Sequence, residues 1–122
     1  MYAIGAAHPN KAASRLLLEQ LIAQGERLVT DAEVLQEILH RYVAIDRRDA
    51  IQPAFEALLG VVDEVFPVER RDAERARDLV HAMRSLSARD ALHVAIMERQ
   101  NVGSILSFDS GFDAVPGISR VS

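Results

Sequence analysis

One segment, residues 87–113, constrains the fold more than any other part of the 122-residue chain. Its sequence is SARDALHVAIMERQNVGSILSFDSGFD. Ser87 and Asp90 have the S-x-x-D spacing of a capping box, in which a hydroxyl and a carboxylate bind free backbone amides at a helix start. The segment therefore predicts a helix from about Ala88, then a turn, and then a buried strand over residues 104–108 that ends at Asp109.

Apolar residues lie on both sides of this predicted helix, which indicates that the helix is buried. Asp90 aligns with Val94 and Met97 at i, i+4 and i+7, so a carboxylate stands at the head of an apolar stripe. Burying an unpaired carboxylate is costly, and something must therefore compensate Asp90. The simplest compensation is the helix cap, and Asp90 alone does not define a site.

Asp109 comes directly after the predicted strand. In doubly wound α/β sheets, ligands bind beyond the carboxyl ends of the strands, which is where Asp109 would lie. Asp109 is followed by Ser110 and Gly111, however, and such a sequence is also common where an Asp simply opens a turn. An acid at a helix start and another at the end of the next strand are more informative together than either is alone.

The segments LSARDALHVAI and ILSFDSGFDAVPGI resemble the carboxyl-terminal half of PIN-domain ribonucleases, specifically the VapC toxins of toxin–antitoxin pairs. In that family, an Asp that opens a helix and an Asp within a Thr/Ser-x-Asp-x-x-Phe pattern help to bind magnesium. Asp90 and Asp109 match these positions. On helical spacing alone, Glu37 is a solvent-facing partner of Arg41. However, VLQEIL is similar to the family segment whose helical Glu binds metal, so the resemblance implies that role for Glu37.

The resemblance implies a metal-dependent endoribonuclease that hydrolyses RNA phosphodiester bonds as the toxin of a toxin–antitoxin pair. Glu37, Asp90 and Asp109 would be its catalytic residues and its ligands for Mg²⁺ or Mn²⁺, and Asp113 is a weaker fourth candidate. The implied partners are the RNA substrate, a cognate antitoxin protein and a second copy of the chain in a homodimer. The chain contains no cysteine, so any metal must be held by oxygen or imidazole.

The rest of the chain alternates helices with short strands. Helices are predicted over residues 11–24, ending before Gly25, over residues 31–42 after a capping box at 30–33, over 50–59, and from a cap at Asp72. Strands are predicted over residues 27–29, 63–68 and 118–121, the last at an edge of the sheet. This alternation predicts a single domain over residues 1–122, a three-layer α/β/α sandwich with a mostly parallel sheet.

The amino-terminal end does not match the family pattern. PIN domains begin with a buried central strand that carries an Asp, and residues 2–9 resemble the family segment that comes after that strand. We therefore expect the central strand and its Asp to be missing and the natural protein to start upstream of Met1. The hypothesis can be tested by reading the in-frame codons before Met1. If they encode no apolar run that ends in Asp-Thr or Asp-Ser, the hypothesis is contradicted.

Composition and spacing limit the other possible functions. The net charge of −4 argues against a broad basic surface for long nucleic acid, although cations can bridge an acidic site to phosphate. No apolar run approaches the roughly 20 residues of a membrane span, so we expect a soluble, cytoplasmic protein with no membrane partner.

A receiver domain would need a Lys after a late strand, and the only Lys is Lys11. Asp90 and His93 could share a metal, although the family uses no His there, and no Ser-His-Asp arrangement is evident. A catalytically impaired module that binds an antitoxin or dimerises stays open.

Overall fold

The computed structural model of the protein describes residues 1–5, 11–107 and 110–121. Its strands are β1 (Tyr2–Ile4), β2 (Leu28–Asp31), β3 (Glu64–Phe66), β4 (Ser104–Leu106) and β5 (Ser119–Val121). Its helices are α1 (Lys11–Ala23), α2 (Ala32–Ala44), α3 (Ile51–Leu59), α4 (Arg70–Ala82) and α5 (Ala88–Arg99). Two short 3₁₀ helices span Arg48–Ala50 and Ser110–Ala114. Every predicted helix and strand is therefore found, with shifts of a few residues at its ends.

The five strands form one sheet in the order β3-β2-β1-β4-β5, and all four neighbouring pairs are parallel. Tyr2–Ile4 lies at the centre, where Tyr2 pairs with Leu28 on one side and with Ser104 on the other. A strand over residues 2–4, which the sequence patterns did not predict, therefore holds the central position of the sheet. Sequence patterns overlooked it because three residues are too short to show a strand periodicity. The residue after this strand is Gly5, so the strand carries no Asp.

Helices cover both faces of the sheet, which confirms the three-layer architecture. Alternate strand residues point to opposite faces. Ile105 accordingly packs in a core with α4 and α5, whereas its neighbour Leu106 packs in a second core with Leu21 of α1. Within the residues that the structure describes, no helix has both the length and the apolar character needed to cross a bilayer.

Local contacts explain where the helices begin and end. The Ser87 hydroxyl accepts the Asp90 N–H at 3.1 Å, which confirms the predicted start of α5. Gly25 comes after α1 with φ of +73°, a conformation that favours glycine at this position. The second predicted capping box is corrected by one residue, because Asp31 rather than Thr30 caps α2 through the Val34 N–H.

An ion pair between Asp72 and Arg99 joins α4 to α5. Two Arg99 nitrogens each donate to one Asp72 oxygen at 2.8 Å, and the Asp72 side chain is 2% exposed. The prediction that Asp72 caps α4 is corrected, because Glu69 occupies the N-cap position and Asp72 is the third residue of the helix, where it completes the capping box. Bidentate pairing offsets the cost of burying this carboxylate. The pair therefore fixes how α4 packs against the helix that carries Asp90 and His93.

Candidate functional site

The candidate site begins where β2 ends and α2 starts. Asp31 is the last residue of β2 and also the N-cap of α2, with one carboxylate oxygen accepting the Val34 N–H at 3.0 Å. The preceding Thr30 donates its hydroxyl hydrogen to the Ile4 carbonyl at 2.8 Å, which ties the end of β2 to the central strand. Asp31 is therefore held in place by both the sheet and the helix.

His93 of α5 bridges two buried carboxylates. Its Nδ1 lies 2.7 Å from Oδ2 of Asp31, and its Nε2 lies 2.8 Å from Oε1 of Glu37. All three residues are buried, with exposed fractions of 4% for His93, 6% for Asp31 and 8% for Glu37. The bridge therefore connects the end of β2, the first turns of α2 and the middle of α5 in a place that is largely shielded from bulk water.

The bridge keeps His93 protonated. Burial alone would lower the pKa of His93, but the hydrogen bonds to Asp31 and Glu37 and their negative charges outweigh it and raise the pKa to about 10. Both ring nitrogens consequently carry a proton at neutral pH and donate to the two carboxylates. One positive charge thus lies between two negative charges.

Glu33 adds a fourth charged side chain to this region. It lies in the first turn of α2 and is half-buried. Burial is the main reason that the pKa of Glu33 is raised, and repulsion from the Glu37 carboxylate adds to it. Three carboxyl groups, those of Asp31, Glu33 and Glu37, thus lie close together at the start of α2.

Asp90 lies next to this region on α5. It is half-buried in the first turn of the helix, three residues before His93. Residues three apart on a helix are neighbours, with about 5–6 Å between their Cβ atoms. Because His93 contacts Glu37, this spacing brings the first turn of α5 close to α2. The solvent-facing position that spacing alone predicted for Glu37 is wrong.

The other two predicted acids have different outcomes. Asp109 lies outside the described residues. Asp113 pairs with Arg120 of β5, whose Nε and Nη2 donate to the two carboxylate oxygens at 2.8 Å and 3.0 Å. This hydrogen bonding lowers the pKa of Asp113. The structure thus gives Asp113 a role in holding the edge strand β5 to the preceding 3₁₀ helix.

The side chains of the site meet part of what a metal-binding site requires. Carboxylate oxygens are the donors that Mg²⁺ and Mn²⁺ prefer, and Glu37, Asp90 and Glu33 supply this type of donor. Among the described residues, which do not include Asp109, no group of three or more acidic, His or Cys side chains is arranged to hold a metal ion. The donors therefore fit a divalent cation in their chemistry.

The comparisons with known proteins agree with this fold. Residues 1–118 match the family model described as PIN domain. Ribonuclease VapC13 of Mycobacterium tuberculosis is 60% identical over 122 residues, which are 100% of this chain and 93% of that protein. The crystal structure of VapC20, a Sarcin-Ricin loop cleaving toxin of M. tuberculosis, has a TM-score of 0.72 at 21% identity and covers 93% of this chain and 94% of its own.

A further structural neighbour is VapBC-1 from nontypeable Haemophilus influenzae, with a TM-score of 0.72 at 11% identity, covering 99% of this chain and 97% of that one. At such low identity the two solved structures support the fold alone. The family match and the 60% identity carry the assignment. The chain belongs to the PIN domain family, and within it to the VapC group.

Sequence reasoning missed the roles of Asp31 and His93. The strand-end rule that selected Asp109 applies equally to Asp31, which comes after the buried residues Leu28 and Val29. His93 lies among apolar residues of a helix with two apolar faces, and a buried imidazole there requires polar partners. Both signals were present in the sequence, but the identity of the partners depends on how α2 and α5 pack.

Proposed function

We propose that this protein is a metal-dependent endoribonuclease, the toxin component of a toxin–antitoxin pair. The observation that carries the proposal is the convergence of α2 and α5, which brings Glu37 to the helix that Asp90 opens. The 60% identity to a protein named a VapC ribonuclease supports the reaction class. The substrate would be RNA, cleaved at phosphodiester bonds.

We further propose that Glu37, Asp90 and Asp109 bind one or more Mg²⁺ or Mn²⁺ ions. When bound, such an ion would supply a water of lowered pKa and would neutralise charge on the phosphate. The chain itself contributes three things to the reaction. Glu37 is fixed by His93, Asp90 is fixed at a capped helix start, and the negative charge of Glu33 adds to the attraction for cations. No protein nucleophile is required.

Three further proposals concern partners and location. The solved VapBC-1 assembly supports an antitoxin partner, and this chain would bind a cognate antitoxin of its own. It would also form a homodimer. It would act in the cytoplasm.

A second candidate function is a catalytically impaired module that binds an antitoxin or dimerises. Two observations favour it. The central strand is followed by Gly5 instead of an Asp, and the described residues contain no complete metal-binding group. Magnesium-dependent cleavage of RNA separates the two candidates, because the impaired module would retain partner binding without cleavage.

The test uses purified protein and a mixture of structured and single-stranded RNAs, with Mg²⁺, with Mn²⁺ and with EDTA. We expect cleavage in the presence of metal, and a loss of at least about 100-fold in Glu37→Gln and Asp90→Asn, as is typical when ligands or charge-stabilising groups are removed. Glu19→Gln, which changes an exposed acid on α1, should leave the rate unchanged. Cleavage that survives EDTA or both site variants would contradict the proposal.

A further inference from the structure

We propose that His93 is a positioning residue, which fixes the Glu37 carboxylate for cation binding through a bridge anchored at Asp31. This inference rests on the proposed function, because it assigns Glu37 to the metal. It goes beyond that function in naming two residues, Asp31 and His93, that act on the site without touching substrate. We call Asp31, His93 and Glu37 together the bridge.

The anchor end of the bridge is rigid. Asp31 uses both of its carboxylate oxygens, one for the Val34 N–H at 3.0 Å and the other for His93 at 2.7 Å. Its backbone belongs to β2 and to the cap of α2 at the same time. A carboxylate held by a backbone amide and an imidazole cannot rotate without breaking one of these hydrogen bonds.

The other end of the bridge restrains a flexible side chain. A Glu side chain loses about 1.5–2 kcal/mol of rotamer freedom when it is ordered. The 2.8 Å hydrogen bond from His93 to Oε1 of Glu37 provides this ordering in the folded protein, before any cation arrives. In metal sites, groups that orient a ligand in this way typically change metal affinity about 10- to 100-fold when they are mutated.

His93 itself lies too deep to take part in the reaction. It is 4% exposed, and the cavity beside it, which Gly5, Thr30 and Asp31 also line, has a volume of about 10 Å³. That volume is about the size of one water molecule and excludes a nucleotide. His93 therefore acts on the site without touching substrate, and Glu37 is the acid of the proposed metal site that it contacts directly.

The chemistry of amide side chains offers matched variants. The Gln amide nitrogen occupies roughly the place of Nε2 of a histidine, and the Asn amide nitrogen roughly that of Nδ1. His93→Gln can therefore keep the donor to Glu37, whereas His93→Asn can keep only the donor to Asp31. Each variant removes one hydrogen bond and the positive charge, so the two differ in which end of the bridge is lost.

The experiment measures Mn²⁺ binding to the full chain by electron paramagnetic resonance, independently of RNA cleavage. Urea unfolding of each variant reports its stability, and Glu37→Gln reports whether the metal binds at this site. We expect His93→Asn to weaken Mn²⁺ binding about 10- to 100-fold and His93→Gln to weaken it less. His81→Gln, an exposed change on α4, should bind as the wild type does.

The outcomes distinguish the positioning role from the metal site itself. If the wild type and Glu37→Gln bind Mn²⁺ equally, the metal site at Glu37 is refuted, and the positioning role falls with it. If Glu37→Gln weakens binding and both His93 variants bind like the wild type, only the positioning role is overturned. Equal weakening in both His93 variants would also overturn it, because a loss that ignores the donor to Glu37 reflects general destabilisation.

Discussion

Raising the pH should destabilise the protein through the bridge, because it removes one of the two ring protons that His93 donates to Asp31 and Glu37. The pKa of His93 is raised from 6.5 to about 10 in the folded state. The folded state therefore binds this proton more tightly than the unfolded state does. The resulting stabilisation is fully present below about pH 6.5 and is lost as the pH rises through about 10.

The expected magnitude is set by proton linkage. Where the folded state holds one more proton than the unfolded state, the free energy of unfolding falls by about 1.4 kcal/mol per pH unit. Between about pH 6.5 and pH 9 the loss attributable to His93 is therefore about 3 kcal/mol. This agrees with the roughly 3–5 kcal/mol typically measured when one partner of a buried ion pair is removed. It is a large part of a typical stability of about 5–15 kcal/mol.

Urea unfolding followed by circular dichroism, with EDTA present to exclude metal effects, measures this loss. The comparison variant is His93→Gln, which cannot titrate, and subtracting its free energy of unfolding cancels the titration of all other groups. The difference between wild type and His93→Gln should shrink by about 3 kcal/mol from about pH 6.5 to about pH 9. His81→Gln should track the wild type throughout. A difference that is the same at both pH values would show that His93 is neutral in the folded protein and would refute the reasoning.

Three further changes test the packing that supports the site. Asp72→Asn breaks a buried, bidentate ion pair and should lower the free energy of unfolding in urea by about 3–5 kcal/mol. Its control, Glu98→Gln, changes an exposed pair on the same two helices and should lower it by less than about 1 kcal/mol. Leu28→Ala removes a side chain that is 1% exposed and should lower the free energy of unfolding by about 2–5 kcal/mol. Leu59→Ala, at a position that is 45% exposed, should lower it by about 0.5 kcal/mol or less. Gly25→Ala places a side chain at φ of +73° and should lower the thermal midpoint, because the native conformation there is strained for alanine; an unchanged midpoint would contradict this.

Much of the fold could be predicted from the sequence because its local signals are strong. The capping residues at Ser87, the glycine at position 25 and the alternation of apolar runs define where helices and strands occur. The parallel sheet is a consequence of that alternation. The central strand Tyr2–Ile4 could not be predicted, since its place is set by pairing with β2 and β4 and not by any pattern within its three residues.

The candidate site was only partly predictable for a related reason. Asp90 was predicted as a site residue from its pairing with Asp109 and from the family resemblance, and Glu37 only from that resemblance. The contact that buries Glu37 comes from His93, which is 56 residues away in the sequence. Helical spacing reports neighbours one turn away, such as Arg41, and is blind to a partner on another helix. The wrong solvent-facing interpretation of Glu37 is a direct result of that limit.

The bridge also shows why an acid at the end of a strand does not by itself identify a metal ligand. By position alone, Asp31 at the end of β2 is as good a candidate as Asp109. An acidic side chain that already accepts several hydrogen bonds from the protein is a weaker candidate metal ligand than one that accepts few. Asp31 accepts one on each oxygen, from Val34 and His93, so a cation at Asp31 would compete with both the cap of α2 and the bridge for its lone pairs. Under the proposed metal-dependent function, Asp31 is therefore a weaker candidate ligand than the helix-borne acids Glu37 and Asp90.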